Sequence, residues 1–269
     1  MIGVFDSGIG GLSVLMPVRR LLGDADILYL ADRGWGPYGE RSLEDVRARV
    51  DLVASHLISQ GARMVVVACH TASAAALTTL RARHPDVAFV GMEPALKPAA
   101  AASRKRRVGV LATEATFQSE LFASVVDRFG TNVAVIARAC RGWAAAVEEG
   151  RLDGPEVEAM VGEHVVPLLA HRVDTIVLGC THYPFLAPVI RRIAGPDIEI
   201  VDPADAVARQ VARVAGGLGP EVGRGRALRF QVTGAPTGVA ELVERLTGWR
   251  IDVEGVRVGP PLGPVPSDP

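Results

Sequence analysis

The chain has 269 residues, 49% of them hydrophobic, with 29 basic side chains against 30 acidic ones. That is apolar material for one large core or two modest ones, so two domains are expected and no staple is needed for folding. A net charge of −1 gives no field that would gather nucleic acid or an anionic membrane, which leaves a small molecule as the expected partner.

In chain order, short β-branched runs at 2–5, 27–30, 64–68, 87–90, 108–111, 133–136, 175–179 and 198–201 alternate with helix-like stretches such as 11–22, 42–60 and 73–83. The alternation predicts an α/β fold with mainly parallel sheets, and the continuous apolar character of the strands predicts burial on both faces. The functional loops of such a sheet lie beyond the carboxyl ends of its strands. The opening, MIGVFDSGIGG, has no basic leader, and no apolar run approaches the ~18 residues of a membrane span, so neither export nor insertion is expected. Cys69, Cys140 and Cys180 are odd in number and far apart, the pattern of reduced thiols in a cytoplasmic protein.

The sequence echoes itself. MVVVACHT at 64–71 is matched by TIVLGCTH at 175–182, each an apolar strand ending in Cys with Thr and His close behind. Each follows, at a similar interval, an earlier strand with a polar tip, IGVFDS at 2–7 and VGVLAT at 108–113. Two pseudo-symmetric α/β halves are therefore expected, with the site in the cleft between them. The two prolines of EPALKPAAAA (93–102) mark the crossing. Residues 1–95 and 206–258 are assigned to the first half, because the helix-like 204–215 and the strand-like 228–234 are expected to return to it. Residues 96–205 form the second half. The tail 259–269, with five prolines in eleven residues, is expected to be disordered.

A cysteine at the end of a buried strand, just before a helix, lies where helix amides and the dipole lower a thiol pKa, and such a thiol can act as a base. Two thiols facing each other across one cleft offer bases to opposite faces of a carbon, as stereoinversion requires. The plainer reading of any one cysteine is a small buried hydrophobe, and Cys140 keeps it. Zinc is the rival for Cys69, His70, Cys180 and His182, but Cys-His and Cys-Thr-His lack the usual gap of two to four residues between paired ligands. Gly8, Gly10 and Gly11 between a strand and a helix suit an anion at the helix N-terminus, without the spacing of a dinucleotide or P-loop fingerprint. Asp6 is either a cap for that turn or a group that tunes a thiol and meets an ammonium; the second is favoured. Tyr38, between Pro37 and Gly39, sits in a fixed turn. Arg104, Lys105, Arg106 and Arg107 read as a solvated loop, and His56, His84, His164 and His171 as structural.

FDSGIGGLSVL, PYGERS, VVVACHTASAA, EPALKPA and VLGCTHYPFL, in that order within residues 2 to 258, resemble glutamate racemase of the aspartate/glutamate racemase superfamily. The resemblance implies two α/β domains, no pyridoxal phosphate or metal, a homodimer, and interconversion of L- and D-glutamate to supply peptidoglycan synthesis. It implies that Cys69 deprotonates the D-enantiomer and Cys180 the L-enantiomer, assisted by Asp6 and His182, with Glu148 a further acid near the second thiol. Substrate contacts carry over to Asp6, Ser7, Tyr38, Gly39, His70, Thr71, Thr113, Thr116, Thr181 and His182. Three positions depart from the family. His70 replaces an asparagine, so a different affinity or pH dependence is expected. Asp32, Arg33, Gly34, Trp35 and Gly36 replace the family's Asp-Thr-Ala-Arg stretch, and Phe122 replaces a tyrosine. Racemisation of aspartate or hydantoins and a non-catalytic binding role are the competing readings.

Overall fold

The computed structural model describes residues 1–130, 132–219, 222, 225 and 227–259. The first half alternates β1 (Ile2–Asp6), α1 (Leu12–Leu21), β2 (Ile27–Ala31), α2 (Leu43–Ser59), β3 (Met64–Val67), α3 (His70–Arg83) and β4 (Ala88–Val90). The second runs through α4 (Leu96–Ala102), β5 (Arg107–Ala112), α5 (Glu114–Phe117), α6 (Glu120–Phe129), β6 (Ala134–Ala139), α7 (Trp143–Glu148), α8 (Pro155–Ala170), β7 (Thr175–Gly179), α9 (Ala187–Ala194) and β8 (Glu199–Val201). The chain closes with α10 (Ala204–Gly217), β9 (Leu228–Thr233), α11 (Val239–Thr247) and β10 (Val253–Val256).

Every strand pairing is parallel. One sheet has the order β10-β9-β2-β1-β3-β4 and the other β6-β5-β7-β8, so the last two strands extend the first sheet beyond β2. Side chains alternate across a strand. Val4, Tyr29 and Val66 accordingly share one core with Leu111, Ile176 and Leu178 of the second sheet, a single cluster that joins the halves. Phe5, Leu28 and Val65 face the opposite way, against α2 and α3, and Val108, Val110 and Val177 do so in the second sheet, under α4 and α6. Burial on both faces holds for β1, β2, β3 and β7 but not for β6 and β8, which are sheet edges with half-exposed side chains. Short strands and charged residues on an edge discourage further pairing. The short edge strand β10 was not foreseen, because its sequence, VEGV, is brief and polar. The buried Val258 packs on the first half, and residues 260–269, where the disordered tail is expected, lie outside the described residues.

Candidate active site

The carboxyl ends of β1, β2, β3, β5 and β7 converge on a cleft of about 560 Å³. Ser7, Tyr38, Gly39, Cys69, His70, Thr71, Thr113, Cys180, Thr181 and His182 all line it, so both motif thiols open on one space. Asp6, Thr116 and Glu148 stand behind its wall. No group of three or more His, Cys, Asp or Glu among the described residues is arranged to hold a metal ion, and no helix is long and apolar enough to cross a membrane.

Cys69 occupies the cap position of α3, in an extended conformation that ends β3 before His70 starts the helix. Its sulfur lies 3.9 Å from Ser7 Oγ. Burial drives this thiol well above its ordinary pKa and the Asp6 charge adds to the effect, while the Ala72 amide and Ser7 oppose it. Cys180 has a different neighbour: its sulfur lies 3.7 Å from His182 Nδ1, and His182 Nε2 lies 2.8 Å from Glu148 Oε1. Burial disfavours a charged imidazole, but the contacts to Cys180 and Glu148 outweigh it and raise His182 well above the usual histidine range. Burial likewise resists the Glu148 charge, yet His182, the Ile9 amide and Arg33 keep its carboxyl below the usual carboxylate range.

The glycine-rich turn is occupied by the protein's own carboxylates. Asp6 Oδ2 accepts from the amides of Gly8 at 3.2 Å and Gly11 at 3.0 Å, and Glu148 Oε1 accepts from the Ile9 amide at 2.6 Å. Asp6 is thus a cap for the turn; it also accepts from Thr181 Oγ1 at 3.1 Å. Desolvation lifts its pKa to about 6, only partly offset by His182 and the two amides.

Across the cleft, Thr113 caps α5, and its hydroxyl lies 3.0 Å from that of Thr71 and 2.9 Å from that of Thr116. These three hydroxyls tie the halves at the cleft wall. Ser13 adds a second tie by donating to the Thr181 carbonyl at 2.9 Å. Tyr38 spends its hydroxyl on Asp32 Oδ2 at 2.5 Å, which leaves its ring and backbone for the cleft. His70 is 3% exposed, neither ring nitrogen has a hydrogen-bond partner, and burial lowers its pKa to about 4. A neutral imidazole with two unmet polar atoms is thereby presented at the site.

Several residues escaped the sequence reading. Cys140 is buried, as expected, but it also lines the cleft, and Arg41 and Arg141 stand at its rim. Arg33 reaches Glu148 from the first half, and nothing in the sequence signals that contact. Phe122 packs edge-on against Phe117 in the core of the second half, away from the cleft. The basic run at 104–107 is exposed, and His56, His84 and His164 make contacts with Gln231, Phe89 and Trp143 outside the site.

The Asp/Glu/Hydantoin racemase family matches residues 14–211 of the chain. A glutamate racemase of Roseiflexus sp. is 50% identical over 248 residues, covering 91% of each chain. The structure of Escherichia coli glutamate racemase in complex with L-glutamate and the activator UDP-MurNAc-ala superposes with a TM-score of 0.84 at 29% identity, covering 94% of this chain and 96% of that one. That of Francisella tularensis glutamate racemase in complex with D-glutamate gives 0.83 at 27% identity, over 96% and 97%. Fold, site and these relatives agree that the chain belongs to the Asp/Glu/Hydantoin racemase family, on its glutamate racemase branch.

Proposed function

We propose that this enzyme interconverts L- and D-glutamate without a cofactor, Cys180 taking the α-proton of the L-enantiomer and Cys69 that of the D-enantiomer. Two thiols on one cleft, each at the end of a strand from a different half, carry this reading. In the L-to-D direction the Cys180 thiolate removes the α-proton and the Cys69 thiol delivers its own to the opposite face. The enzyme is left with a Cys180 thiol and a Cys69 thiolate, and once D-glutamate leaves, loss of the Cys180 proton to water and uptake of one by Cys69 restore the starting state. The unequal surroundings of the sulfurs support a resting state with Cys69 protonated, since burial and Asp6 both disfavour its thiolate, while Cys180 Sγ faces the His182 ring at 3.7 Å.

An amino-acid α-proton is weakly acidic, so the site must supply orientation, charge stabilisation and exclusion of water. In this reading Ser7, Tyr38, Gly39, His70, Thr71, Thr113 and Thr181 hold the substrate from the cleft wall, and Thr116 supports Thr71 and Thr113 from behind. Asp6 biases Cys69, and Glu148 acts through His182. The division into residues 1–95 with 206–258 and residues 96–205 is supported by the pairing of β9 with β2 and the packing of α10 on α1. Three free, buried cysteines support a reducing cytoplasm. Supply of D-glutamate for peptidoglycan and a homodimeric state follow the family resemblance.

The test is incubation of the metal-stripped protein with L-glutamate in deuterated water, followed by circular dichroism and α-deuterium incorporation, beside Cys69→Ser and Cys180→Ser. Loss of optical activity with solvent deuterium in the product, abolished in both variants, is expected. A folded enzyme that leaves glutamate unexchanged overturns the reading.

A further inference from the structure

We propose that Arg33 is a positioning residue for the Cys180 side of the site, fixing the Glu148 carboxylate so that it holds His182 against the thiol. The inference rests on the two-thiol reading above. Arg33 follows β2 in the first half, and Glu148 ends α7 in the second. The guanidinium grips Glu148 twice, Nε to Oε2 at 2.6 Å and an Nη donor to the backbone carbonyl at 3.2 Å. A planar fork holds such a double contact in a fixed geometry, which a compact, freely rotating ammonium does not impose. The other carboxylate oxygen is already committed to the Ile9 amide at 2.6 Å and His182 Nε2 at 2.8 Å. With both oxygens engaged, the carboxylate cannot turn without releasing His182.

There is room for it to turn. Arg33, Gly34, Glu148 and Gly234 line a separate cavity of about 310 Å³ that shares Ser7 and His182 with the catalytic cleft. Removing the guanidinium frees Glu148 Oε2 toward that space. The two side chains are 25% and 20% exposed, so solvent screens this pair only in part. Its consequence is orientation, transmitted through Glu148 to His182 and to Cys180 Sγ, 3.7 Å from Nδ1.

A racemase has an equilibrium constant of one, so kcat/KM must be equal in both directions and cannot reveal which thiol is impaired. Isotope effects can. When proton transfer at one sulfur slows, the effect grows for the α-deuterated enantiomer whose deuteron leaves to that sulfur and shrinks for the other. The experiment measures kcat/KM for L- and D-[2-²H]glutamate against the unlabelled enantiomers. It uses the wild type, Arg33→Ala, Arg33→Lys, Glu148→Ala and the double variant Arg33→Ala with Glu148→Ala.

Arg33→Ala is expected to lower kcat/KM by about tenfold or more. It should raise the isotope effect with L-glutamate and lower it with D-glutamate, the pattern of slower transfer at Cys180 and not at Cys69. Arg33→Lys should recover only part of the loss, and Arg33→Ala should cost nothing further once Glu148 is alanine. Equal changes for both enantiomers, or losses that simply add in the double variant, overturn the role of Arg33 while leaving the racemase reading intact. If Arg33→Ala fails to fold, Arg33→Lys carries the same isotope comparison with the same two outcomes. A wild type without turnover overturns both.

Discussion

Glu148 Oε1, on the second half, accepts a 2.6 Å hydrogen bond from the backbone amide of Ile9 in the first half. Such an approach of a side chain to a turn leaves no space for a Cβ on the flanking residues. A Cβ at Gly8 would lie 1.9 Å from Glu148 Oε1, and one at Gly10 would lie 2.3 Å from His182 Nδ1. Neither glycine has a positive φ, so close approach and not backbone conformation makes glycine necessary here.

Gly10→Ala is therefore expected to push His182 away from Cys180. Overpacking of this kind costs on the order of 1–3 kcal/mol, and a displacement near 1 Å in the reacting groups costs about 100-fold in kcat. Thermal unfolding and steady-state racemisation measured on the same preparation check the claim. A variant with wild-type kcat would show that the ring can shift without consequence.

Arg49 and Asp32 form a second buried ion pair, 5% and 0% exposed, that anchors the loop carrying Tyr38. Both carboxylate oxygens are bound by the guanidinium, at 2.7 and 2.6 Å, and they also accept from Tyr38 at 2.5 Å and Thr233 at 2.7 Å. Arg49→Met leaves a carboxylate buried without its counterion, at a cost of about 3–5 kcal/mol. Urea unfolding should register that loss, and KM should rise because Tyr38 and Gly39 lose their support. Arg49→Lys should recover only a fraction, since an ammonium cannot match two oxygens at once.

The positions of most strands along the chain and the meeting of Cys69 with Cys180 were legible because both depend on short patterns: apolar runs, and a Cys–Thr–His cluster repeated at a similar interval. The edge strands were less legible. Ala134–Ala139 has the composition of a buried strand and lies half exposed, since position in a sheet is set by the pairing of distant segments. The glycines of the first turn were read as a cradle for a bound anion, whereas two of them make way for Glu148 and His182. That could not be foreseen from spacing, because both partners are more than a hundred residues away. Arg33 is the clearest such case: its meaning lies wholly in a contact with Glu148, 115 positions along the chain.

His70 provides a prediction whose sign follows from its burial alone. In the folded state its pKa falls from 6.5 to about 4, so between those values the unfolded chain binds a proton that the native protein does not. Stability contributed by keeping this ring neutral is complete above pH 6.5 and is lost as the pH falls toward 4. One such group removes about 2 kcal/mol between pH 6.5 and 5, at 1.36 kcal/mol per unit. His70→Asn, which does not titrate, should flatten that part of the curve, and urea unfolding at pH 7, 6 and 5 compares the slopes. An identical pH slope in the variant would mean that the ring is protonated in the native state and has found a partner. Occupation of the cleft should carry the wild-type loss to lower pH if the neutral ring accepts a hydrogen bond from the substrate's ammonium, because protonation then removes that acceptor and opposes binding. Repeating the series with saturating D-glutamate therefore tests both the burial and the contact of the same side chain.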